Sequence, residues 1–384
     1  MRVLHIGKYF PPYPGGIEYF LADLMAALPQ QGVQGAALVH APHPRGAGPE
    51  WRDGSPIYRV PSYGQLLYAP LSPAFPRWLA RALDEFRPDL LHLHLPNTSA
   101  FWALLLPAAR RLPWVVHWHS DVVPSQLRTA LRTAYRVYRP LEQALLRHSR
   151  RIIVTSPPYL QSSAALQPWR ERCAVIPLGL APERIQAAPS AATSAGLWRG
   201  AGLRLLAVGR LTYYKGHEIL LQALARLPDA ELIIVGDGEF RPRLQALLTR
   251  LNLGERAQLL GQTDDARLQA LFASCDALCL PSLERTEAFG LVQLEAMCFG
   301  KPVIASDIPG SGVGWVVRQA GHGVLVPPGD VAALSAALAA LAGDVATRER
   351  LGRQGWLRFQ ELFHIEQVAA QVADLYRGLL AAPD

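Results

Sequence analysis

The chain has 384 residues, half of them apolar, and carries a formal net charge of +7. This length and apolar content predict a globular protein of two or three domains. Uninterrupted apolar runs, such as residues 100–106, are much shorter than the ~20 residues that a membrane-spanning helix needs, and the chain opens on a strand pattern instead of a secretory signal.

Short apolar runs alternate with amphipathic segments along the chain, which is the pattern of a parallel sheet covered by helices on both faces. In the first half the runs are residues 2–7, 33–40, 89–94, 114–118, 151–155 and 174–177. In the second half they are residues 203–208, 231–235, 257–260, 277–280, 302–305 and 323–326. We therefore predict an α/β protein of two Rossmann-like parallel-sheet domains that face a central cleft.

The predicted boundaries follow from composition. Residues 1–182 form the first domain, and residues 183–201, rich in Ala, Pro, Ser and Gly, form a linker. Residues 202–362 form the second domain. The amphipathic segment 363–384 follows the second domain, and we expect it to pack back towards the first.

In the first domain, Gly15-Gly16 opens a helix that runs through Leu28. Paired glycines let a backbone approach a ligand closely, and a helix N-terminus favours an anion. A tight turn without a ligand explains the same pattern equally well. The Gly-x-Gly-x-x-Gly dinucleotide fingerprint is absent.

Histidines stand near the ends of two strands of this domain: His92, His94, His117 and His119. A histidine at a strand end beside a cleft can hydrogen-bond a substrate or transfer a proton. His119 is the better candidate because it lies nearest the carboxyl end of its strand, whereas His117 can be a core residue. A zinc site is the weaker alternative, since no cysteine joins the four histidines.

Seven arginines lie between Leu127 and Arg151, against a single acid, Glu142. Their three- and four-residue spacing predicts a basic amphipathic helix, which can lie on an anionic membrane surface. A solvated helix face is the alternative. Nucleic-acid binding is disfavoured because no helix-turn-helix, RNA-binding or zinc-finger pattern accompanies the charge.

The second domain begins with a strand that ends in Gly209-Arg210, and Lys215-Gly216 follows on the same loop. A guanidinium and an ammonium on one loop can hold a diphosphate from two sides. Two unrelated surface charges are the alternative.

A later loop carries Glu287, and residues 289–299 have helical spacing. A helix that starts at Phe289-Gly290 would offer unpaired N–H groups to phosphate. Glu295 lies about 8 Å further along at 1.5 Å per residue, which is the reach from a diphosphate to the ribose of the same nucleotide. Two surface acids on a solvated helix are the alternative.

The four cysteines are Cys173, Cys275, Cys279 and Cys298, and three of them lie in apolar strand or helix patterns. No histidine or second cysteine pair completes a ligand set with them. We therefore expect buried thiols in a reducing cytosol.

Taken together, Gly15-Gly16, His119-Ser-Asp121, residues 209–216 and residues 287–297 closely resemble family 4 glycosyltransferases of the GT-B fold. The resemblance spans nearly the whole chain. Its most specific parts are Gly-Arg-Leu-x-Tyr-Tyr-Lys-Gly at 209–216 and the signature of two glutamates separated by seven residues. It implies an anomer-retaining, metal-independent hexosyltransferase that uses a nucleoside-diphosphate sugar as co-substrate and needs no cofactor.

The resemblance also implies residue roles. Arg210 and Lys215 would neutralise the leaving diphosphate, while Glu287 and His119 would bind hydroxyls of the transferred sugar. Further donor-binding groups would come from the glycine loop, the start of the later helix, the ribose-binding acid and the base-binding backbone: Gly15, Gly16, Phe289, Gly290, Leu291, Glu295, Gly236 and Gln262.

Elementary chemistry agrees with these roles. Cleavage of a glycosyl–phosphate bond builds negative charge on the diphosphate, and fixed cations on that side stabilise the transition state. No Asp-x-Asp metal motif stands at a strand end, and no carboxylate is placed to attack from the opposite face. We therefore expect an internal-return-like mechanism, in which the departing phosphate oxygen accepts the acceptor's proton.

Two other activities stay open from the sequence. A nucleotide-sugar 2-epimerase shares the two-domain fold but needs additional acid–base carboxylates. A non-catalytic nucleotide-sugar-binding protein is disfavoured because every chemical position of the family pattern is occupied.

The sequence Ser-Leu-Glu-Arg-Thr-Glu at 282–287 and the Tyr213-Tyr214 pair most resemble mannosyltransferase-like members of the family. This resemblance favours GDP-mannose as the donor, with a UDP-sugar as the second choice. The loops at 41–55 and 61–76 would shape the site of a glycan or lipid-linked acceptor. Cell-surface polysaccharide, lipopolysaccharide or glycolipid assembly is the expected context. The expected location is the cytoplasm, at the inner face of the plasma membrane.

Overall fold

The computed structural model describes residues 1–66, 69–122, 129–185, 196–200 and 202–381, with side chains for all of these except residues 66 and 129–134. The chain forms two compact units, Met1–Gly179 with Ile365–Asp384, and Leu180–His364. Of the predicted linker 183–201, residues 186–195 and 201 lie outside the described residues.

The first unit contains an eight-stranded sheet in the order β10-β9-β8-β7-β1-β2-β4-β3, and a separate two-stranded ribbon, β5-β6. The strands are β1 (Arg2–Ile6), β2 (Gln34–His40), β3 (Gly48–Arg52), β4 (Ser55–Val60), β5 (Gln65–Leu66), β6 (Ala69–Pro70), β7 (Leu90–Leu95), β8 (Trp114–Trp118), β9 (Arg151–Val154) and β10 (Cys173–Val175). All neighbours in the large sheet pair in parallel except β3 with β4. Its central strands are buried, which explains why they read as continuous apolar runs in the sequence.

The helices of this part of the chain are α1 (Gly16–Ala27), α2 (Phe75–Phe86), α3 (Pro107–Arg110), α4 (Thr129–His148) and α5 (Pro157–Ser162), with 3-10 turns at Leu28–Gln31, Pro44–Gly46, Thr98–Leu104 and Gln167–Arg172. The predicted basic helix corresponds to α4. Residues 127 and 128 of that prediction, and the side chain of Arg132, lie outside the described residues.

The segments predicted as loops at 41–55 and 61–76 contain regular structure, so this prediction was wrong. β3 lies inside the first segment and β4 begins at its end, while β5, β6 and the start of α2 lie inside the second. β4 is buried along its whole length. Its run Ser-Pro-Ile-Tyr-Arg-Val carries two polar residues and a proline, and these conceal a buried strand from a search for apolar runs.

The second unit contains a six-stranded, fully parallel sheet in the order β13-β12-β11-β14-β15-β16. The strands are β11 (Leu203–Val208), β12 (Ala230–Val235), β13 (Ala257–Gly261), β14 (Ala277–Leu280), β15 (Val303–Ser306) and β16 (Gly323–Val326). The helices are α6 (Pro182–Ile185), α7 (His217–Leu224), α8 (Arg241–Arg250), α9 (Asp265–Ser274), α10 (Val292–Cys298), α11 (Gly312–Ala320), α12 (Val331–Gly343) and α13 (Val345–Leu362), with a 3-10 turn at Tyr213–Lys215.

Apolar side chains cover both faces of this sheet. Leu205 belongs to one buried cluster with Leu220 of α7, and its neighbour Leu206 belongs to another with Phe272 of α9. Successive side chains of a strand point to opposite faces, so helices are needed on both. The prediction of two Rossmann-like parallel-sheet domains is confirmed.

The last helix, α14 (Ile365–Ala381), belongs to the first unit. It packs against α1 and the 3-10 turn that follows α1, and it buries Val368, Val372 and Tyr376. Arg377 donates a hydrogen bond to the backbone oxygen of Gln31 at 3.1 Å.

All four cysteines are free thiols, and Cys275, Cys279 and Cys298 are buried. Burial raises the pKa of Cys275 to about 12, as expected for an unreactive core thiol. Within the described residues no single helix is long and apolar enough to cross a membrane; only α12 and α13 taken together meet that criterion, and they are bent by 100° at their junction.

Candidate functional site

Lys215 and Glu287 form a buried ion pair at the carboxyl end of the second sheet. Lys215 Nζ lies 2.6 Å from Glu287 Oε2, and the two side chains are 13% and 11% exposed. Ser282 Oγ donates a hydrogen bond to the same carboxylate oxygen at 3.2 Å. The two charged residues come from the loops that follow β11 and β14, which are neighbours in the sheet.

Backbone contacts hold these two loops together. The N–H of Leu283 donates to the oxygen of Tyr214 at 2.7 Å, and the Tyr213 hydroxyl hydrogen-bonds the Glu284 carboxylate. Gly216 has a positive φ of 68°, and a Cβ at this position would lie 2.0 Å from the oxygen of Pro281. Only glycine fits such a close approach of two backbones.

The charge of Lys215 is stabilised by its partner. Burial acts to lower the pKa of Lys215, but the Glu287 carboxylate acts to raise it, and the net direction is upward. The positive charge of Arg210 acts to lower the pKa of Lys215, so Arg210 lies close enough to interact electrostatically with the pair. Arg210 itself is exposed at the end of β11. The site therefore combines a neutral buried pair with the accessible cation of Arg210.

The predicted helix over residues 289–299 is shorter than expected, and its predicted start at Phe289-Gly290 was wrong. The helix is α10, which begins at Val292. Gly290 has a positive φ of 73°, a conformation that a right-handed helix cannot contain. Phe289, Gly290 and Leu291 thus form a turn that leads into the helix.

The N–H groups of that turn are available to a ligand. Among the hydrogen bonds of the described residues, none has the N–H of Phe289, Gly290 or Leu291 as its donor. The turn is fixed from the other side, because Ser311 Oγ donates to the oxygen of Glu287 at 2.5 Å and the N–H of Gly312 donates to that of Ala288 at 2.7 Å. Rigid, unpaired N–H groups suit an anion.

The other predicted donor-binding residues of this unit lie on the same sheet edge or just behind it. Gly236 follows β12, and a Cβ there would lie 2.0 Å from the oxygen of Gly209, so the two loops touch. Gln262 follows β13 and is exposed. Glu295 lies in the first turn of α10 and is partly exposed.

In the first unit, Gly15 precedes α1 and Gly16 is its first residue. The carboxylate of Glu18 lies over this loop, because a Cβ at Gly15 would come within 2.1 Å of Glu18 Oε2. An acid beside the helix N-terminus is electrostatically favourable. It occupies the direction from which an anion would approach, a feature that the glycine pattern alone did not reveal.

His119 lies one residue beyond β8 and is 3% exposed. Its Nε2 is 3.0 Å from His94 Nδ1, and its ring stacks on that of His117 with centroids 4.2 Å apart. Phe20 of α1 contacts both rings edge-on. Burial lowers the pKa of His119 to about 3, so the imidazole is neutral at physiological pH.

Two family models match the chain: a glycosyl transferase 4-like domain over residues 15–179 and glycosyl transferases group 1 over residues 197–357. The chain is 32% identical over 377 residues to the D-rhamnosyltransferase WbpZ of Pseudomonas aeruginosa, covering 94% of this chain and 92% of the relative. It is 29% identical over 387 residues to the O-antigen chain mannosyltransferase C of Escherichia coli, covering 99% of both. The protein is a family 4 glycosyltransferase.

A solved structure agrees with the fold of this glycosyltransferase. The sucrose-phosphate synthase of Thermosynechococcus elongatus superposes with a TM-score of 0.82 at 27% identity, over 100% of both chains. The GT-B fold expected from the sequence is thereby confirmed.

Sequence reasoning did not foresee two features of the glycosyltransferase. It assigned Lys215 and Glu287 to different parts of a ligand and missed their direct pairing. It also missed His5, which lies on β1 with its Nδ1 3.1 Å from His94 Nε2. A single histidine in an apolar run gives no signal of partners that lie 89 residues away.

Proposed function

We propose that this glycosyltransferase moves a hexosyl group from a nucleoside-diphosphate sugar to an acceptor hydroxyl, with retention at the anomeric carbon and without a metal ion. The supporting observation is the buried Lys215–Glu287 pair beside the unpaired N–H groups of residues 289–291. The proposed donor is GDP-mannose, with a UDP-sugar next. The proposed products belong to cell-surface polysaccharide, lipopolysaccharide or glycolipid.

The site separates two tasks. The Lys215–Glu287 pair carries no net charge, so the net positive potential at this edge comes from Arg210 and the backbone N–H groups. The proposed contacts of the diphosphate are these groups and the Lys215 ammonium, which keeps further N–H donors besides the one directed at Glu287. Glu287 retains acceptor capacity for hydroxyls of the transferred sugar. Glu295 is the proposed partner of the ribose.

The proposed reaction balances without a further reactant. The bond between the anomeric carbon and the phosphate oxygen breaks, and its electron pair stays on that oxygen. The acceptor oxygen bonds to the anomeric carbon from the same face, and its proton passes to the departing phosphate oxygen. Lys215, Arg210 and the N–H groups stabilise the charge that develops on the leaving diphosphate.

Residues of the first unit complete the proposal. A neutral His119 would hydrogen-bond a hydroxyl of the transferred sugar, in keeping with its lowered pKa. The loop at Gly15-Gly16 would contact the diphosphate, for which the Glu18 carboxylate must move aside. The relatives named above transfer mannose and rhamnose, and this supports a hexose donor.

Thermal shift measurements with GDP-mannose, GDP, UDP-sugars and UDP test the donor. At a donor concentration about 100 times Kd, binding adds about 2.7 kcal/mol to the stability and should raise the Tm by several degrees. The Arg210→Ala variant should lose most of the shift. No shift with any nucleoside diphosphate or its sugar would refute the proposed donor class.

Turnover distinguishes the proposed reaction from its rivals. Incubation of the stabilising donor with a glycan acceptor in EDTA should release the nucleoside diphosphate and give a product with the donor's anomeric configuration. Conversion of the donor without any acceptor would instead indicate an epimerase. Binding that is never followed by turnover would indicate a non-catalytic protein.

We also propose that the enzyme works in the cytoplasm, at the inner face of the plasma membrane, with α4 in contact with anionic lipid. Arg136 and Arg139 are exposed on this helix, and so are Val137 and Leu141. Exposed apolar side chains among arginines are typical of helices that lie in a membrane interface. Leu141 also lines an open, mainly apolar cavity of about 590 Å³ together with Leu105.

A further inference from the structure

Besides His40 on β2, five buried histidines of the first unit lie on three neighbouring strands. They are His5 on β1, His92 and His94 on β7, and His117 and His119 on or just after β8. Residues two apart on a strand point to the same face, and His5 pairs in register with His92 as His94 does with His117. The five imidazoles therefore form one layer under one face of the sheet, with stacked or tilted rings.

Three of these histidines form a continuous hydrogen-bonded chain. His5 Nδ1 lies 3.1 Å from His94 Nε2, and His94 Nδ1 lies 3.0 Å from His119 Nε2. Each link crosses to the neighbouring strand and moves towards the carboxyl end of the sheet. The chain ends at His119 Nδ1, which is buried and has no hydrogen-bond partner among the described residues.

The chain has only two neutral arrangements. Burial lowers the pKa of His5 and His119 to about 3 and that of His94 well below its usual value, so each ring carries one proton. One ring must donate and the next accept at each link. The three rings therefore carry their protons either all on Nδ1 or all on Nε2.

The two arrangements differ in where they leave an unpaired donor. With all protons on Nε2, the unpaired N–H is that of His5, a residue inside β1 with 0% exposure. With all protons on Nδ1, it is that of His119, at the end of the chain nearest the carboxyl edge. A buried donor without a partner is costly, so the favoured arrangement places it at the carboxyl edge, where His119 is 3% exposed and water or a ligand can approach, instead of inside β1, where His5 is 0% exposed.

We propose that His94 and His5 are positioning residues that hold His119 in the tautomer protonated on Nδ1, so that His119 donates a hydrogen bond to an oxygen of the bound sugar. This inference rests on the proposed function for the identity of the ligand, but the tautomers themselves are independent of it. The inference gives His5 and His94 a role in orienting His119, and neither residue is a proposed contact of the diphosphate.

A metal site is the competing explanation, because the nitrogens of His5, His92 and His94, and those of His94, His117 and His119, lie within 4.8 Å of one another. In both links of the chain, however, the ring N–H of one histidine is aimed at the nitrogen of the next. Ligands of a tetrahedral ion must instead direct their lone pairs at one central point. The stacked rings also fit a hydrogen-bonded layer.

Long-range ¹⁵N–¹H NMR on protein labelled at histidine nitrogens reads each tautomer directly. His5, His94 and His119 should all be protonated on Nδ1, with or without the sugar donor. Different tautomers among the three histidines would refute the hydrogen-bonded chain. Protonation of all three on Nε2 would refute His119 as a hydrogen-bond donor to the sugar. A stoichiometric transition metal in the purified protein would also overturn the inference, since it would take the same nitrogens.

Paired variants test the consequence for turnover. In His94→Asn the amide nitrogen stands near the position of Nδ1 and can still donate to His119, whereas His94→Leu cannot. The leucine variant should lose about tenfold or more in kcat/KM, the usual scale for a residue that orients a functional histidine. The asparagine variant should recover most of the loss, although both variants should lower the Tm similarly.

Equal kcat/KM in the two variants would refute the positioning role. If the leucine variant does not fold, His5→Leu and His5→Asn repeat the comparison one link further from the ligand. If the proposed function is wrong, the unaltered protein will also show no turnover, but the NMR spectra will still show the Nδ1 tautomers. If only this inference is wrong, the unaltered protein will be active and its histidine tautomers will be mixed or all Nε2.

Discussion

At the scale of single residues, the Lys215–Glu287 pair determines both stability and chemistry. Each side chain is largely removed from water, and their mutual attraction offsets the cost of desolvation only while both charges are present. Removal of one partner leaves an uncompensated buried charge, which is far more costly than removal of both. A variant at one position therefore changes folding and function together, and the two effects must be measured separately.

The Lys215→Ala variant should lose about 3 kcal/mol of stability in the second unit. Its turnover should fall by about two orders of magnitude or more, because the leaving diphosphate loses a fixed cation. The double variant Lys215→Met with Glu287→Gln contains no unpaired charge and should regain stability without regaining turnover. Urea unfolding and steady-state kinetics on the same preparations measure the two effects.

A matched control is the Arg243–Glu218 pair, whose arginine side chain is 67% exposed. Because water screens this pair, Arg243→Ala should change stability by less than about 0.5 kcal/mol and leave turnover unchanged. Near-normal turnover in Lys215→Ala, or in the double variant, would contradict the role of the ammonium group in catalysis.

At the scale of elements, the loops after β11 and β14 are fitted to one another through glycine. Gly216→Ala adds a Cβ in a left-handed conformation and drives it against the backbone oxygen of Pro281. The variant should lose about 2 kcal/mol or more and weaken donor binding, because the loop that carries Lys215 must move. Thermal unfolding with and without donor measures both.

Gly329→Ala separates the effect of backbone strain from that of the contact with Pro281. Gly329 also has a positive φ, of 77°, but the nearest atom to an added Cβ is 4.0 Å away. This variant should show the backbone strain alone, about 1 kcal/mol, with donor binding unchanged. Equal losses in the two variants would show that the contact with Pro281 is unimportant.

Helix α4 permits a separate test of membrane contact. Arg136→Glu with Arg139→Glu should abolish sedimentation with anionic vesicles at low salt, because each arginine contributes about 1 kcal/mol near such a surface. The unaltered protein should bind, and added salt should release it. Arg350→Glu with Arg353→Glu, on exposed positions of α13, is the control for net charge. No binding of the unaltered protein at low salt would refute the proposed contact.

At the scale of the whole molecule, buried neutral histidines make the protein sensitive to acid. Burial lowers the pKa of His5, His119, His217 and His322 to about 3. In the unfolded chain a histidine has a pKa near 6.5, so below that pH the unfolded state binds more protons. Stability should therefore decrease as the pH falls from about 6.5 towards 3.

Each such histidine contributes up to about 1.4 kcal/mol per pH unit to this decrease. His117→Leu should reduce the slope of unfolding free energy against pH by about 1.4 kcal/mol per pH unit between roughly pH 6 and pH 5, which corresponds to one proton. This change should occur whatever the substitution does to stability at neutral pH. His43→Gln, which removes an exposed histidine, is the control variant. Urea unfolding across this range measures the slopes, and equal slopes in all three proteins would contradict the expectation.

The sequence by itself determined the strands of both sheets from residue 89 onwards within one or two residues, because buried parallel strands are continuous apolar runs and that signal is local. It also determined the family, since the motifs at 209–216 and 287–297 are contiguous. It did not reveal β3 and β4, whose polar residues and proline interrupt the pattern, nor the start of α10 at Val292, which depends on the conformation of Gly290.

Only the tertiary structure decided which side chains meet. Lys215 and Glu287 touch because β11 and β14 are neighbours in the sheet, although β12 and β13 lie between them in the chain. His5, His94 and His119 form a line because β1, β7 and β8 are adjacent in the sheet, although β2 to β6 separate β1 from β7 in the chain. Strand order is fixed by the packing of whole sheets and helices, and no local pattern encodes it.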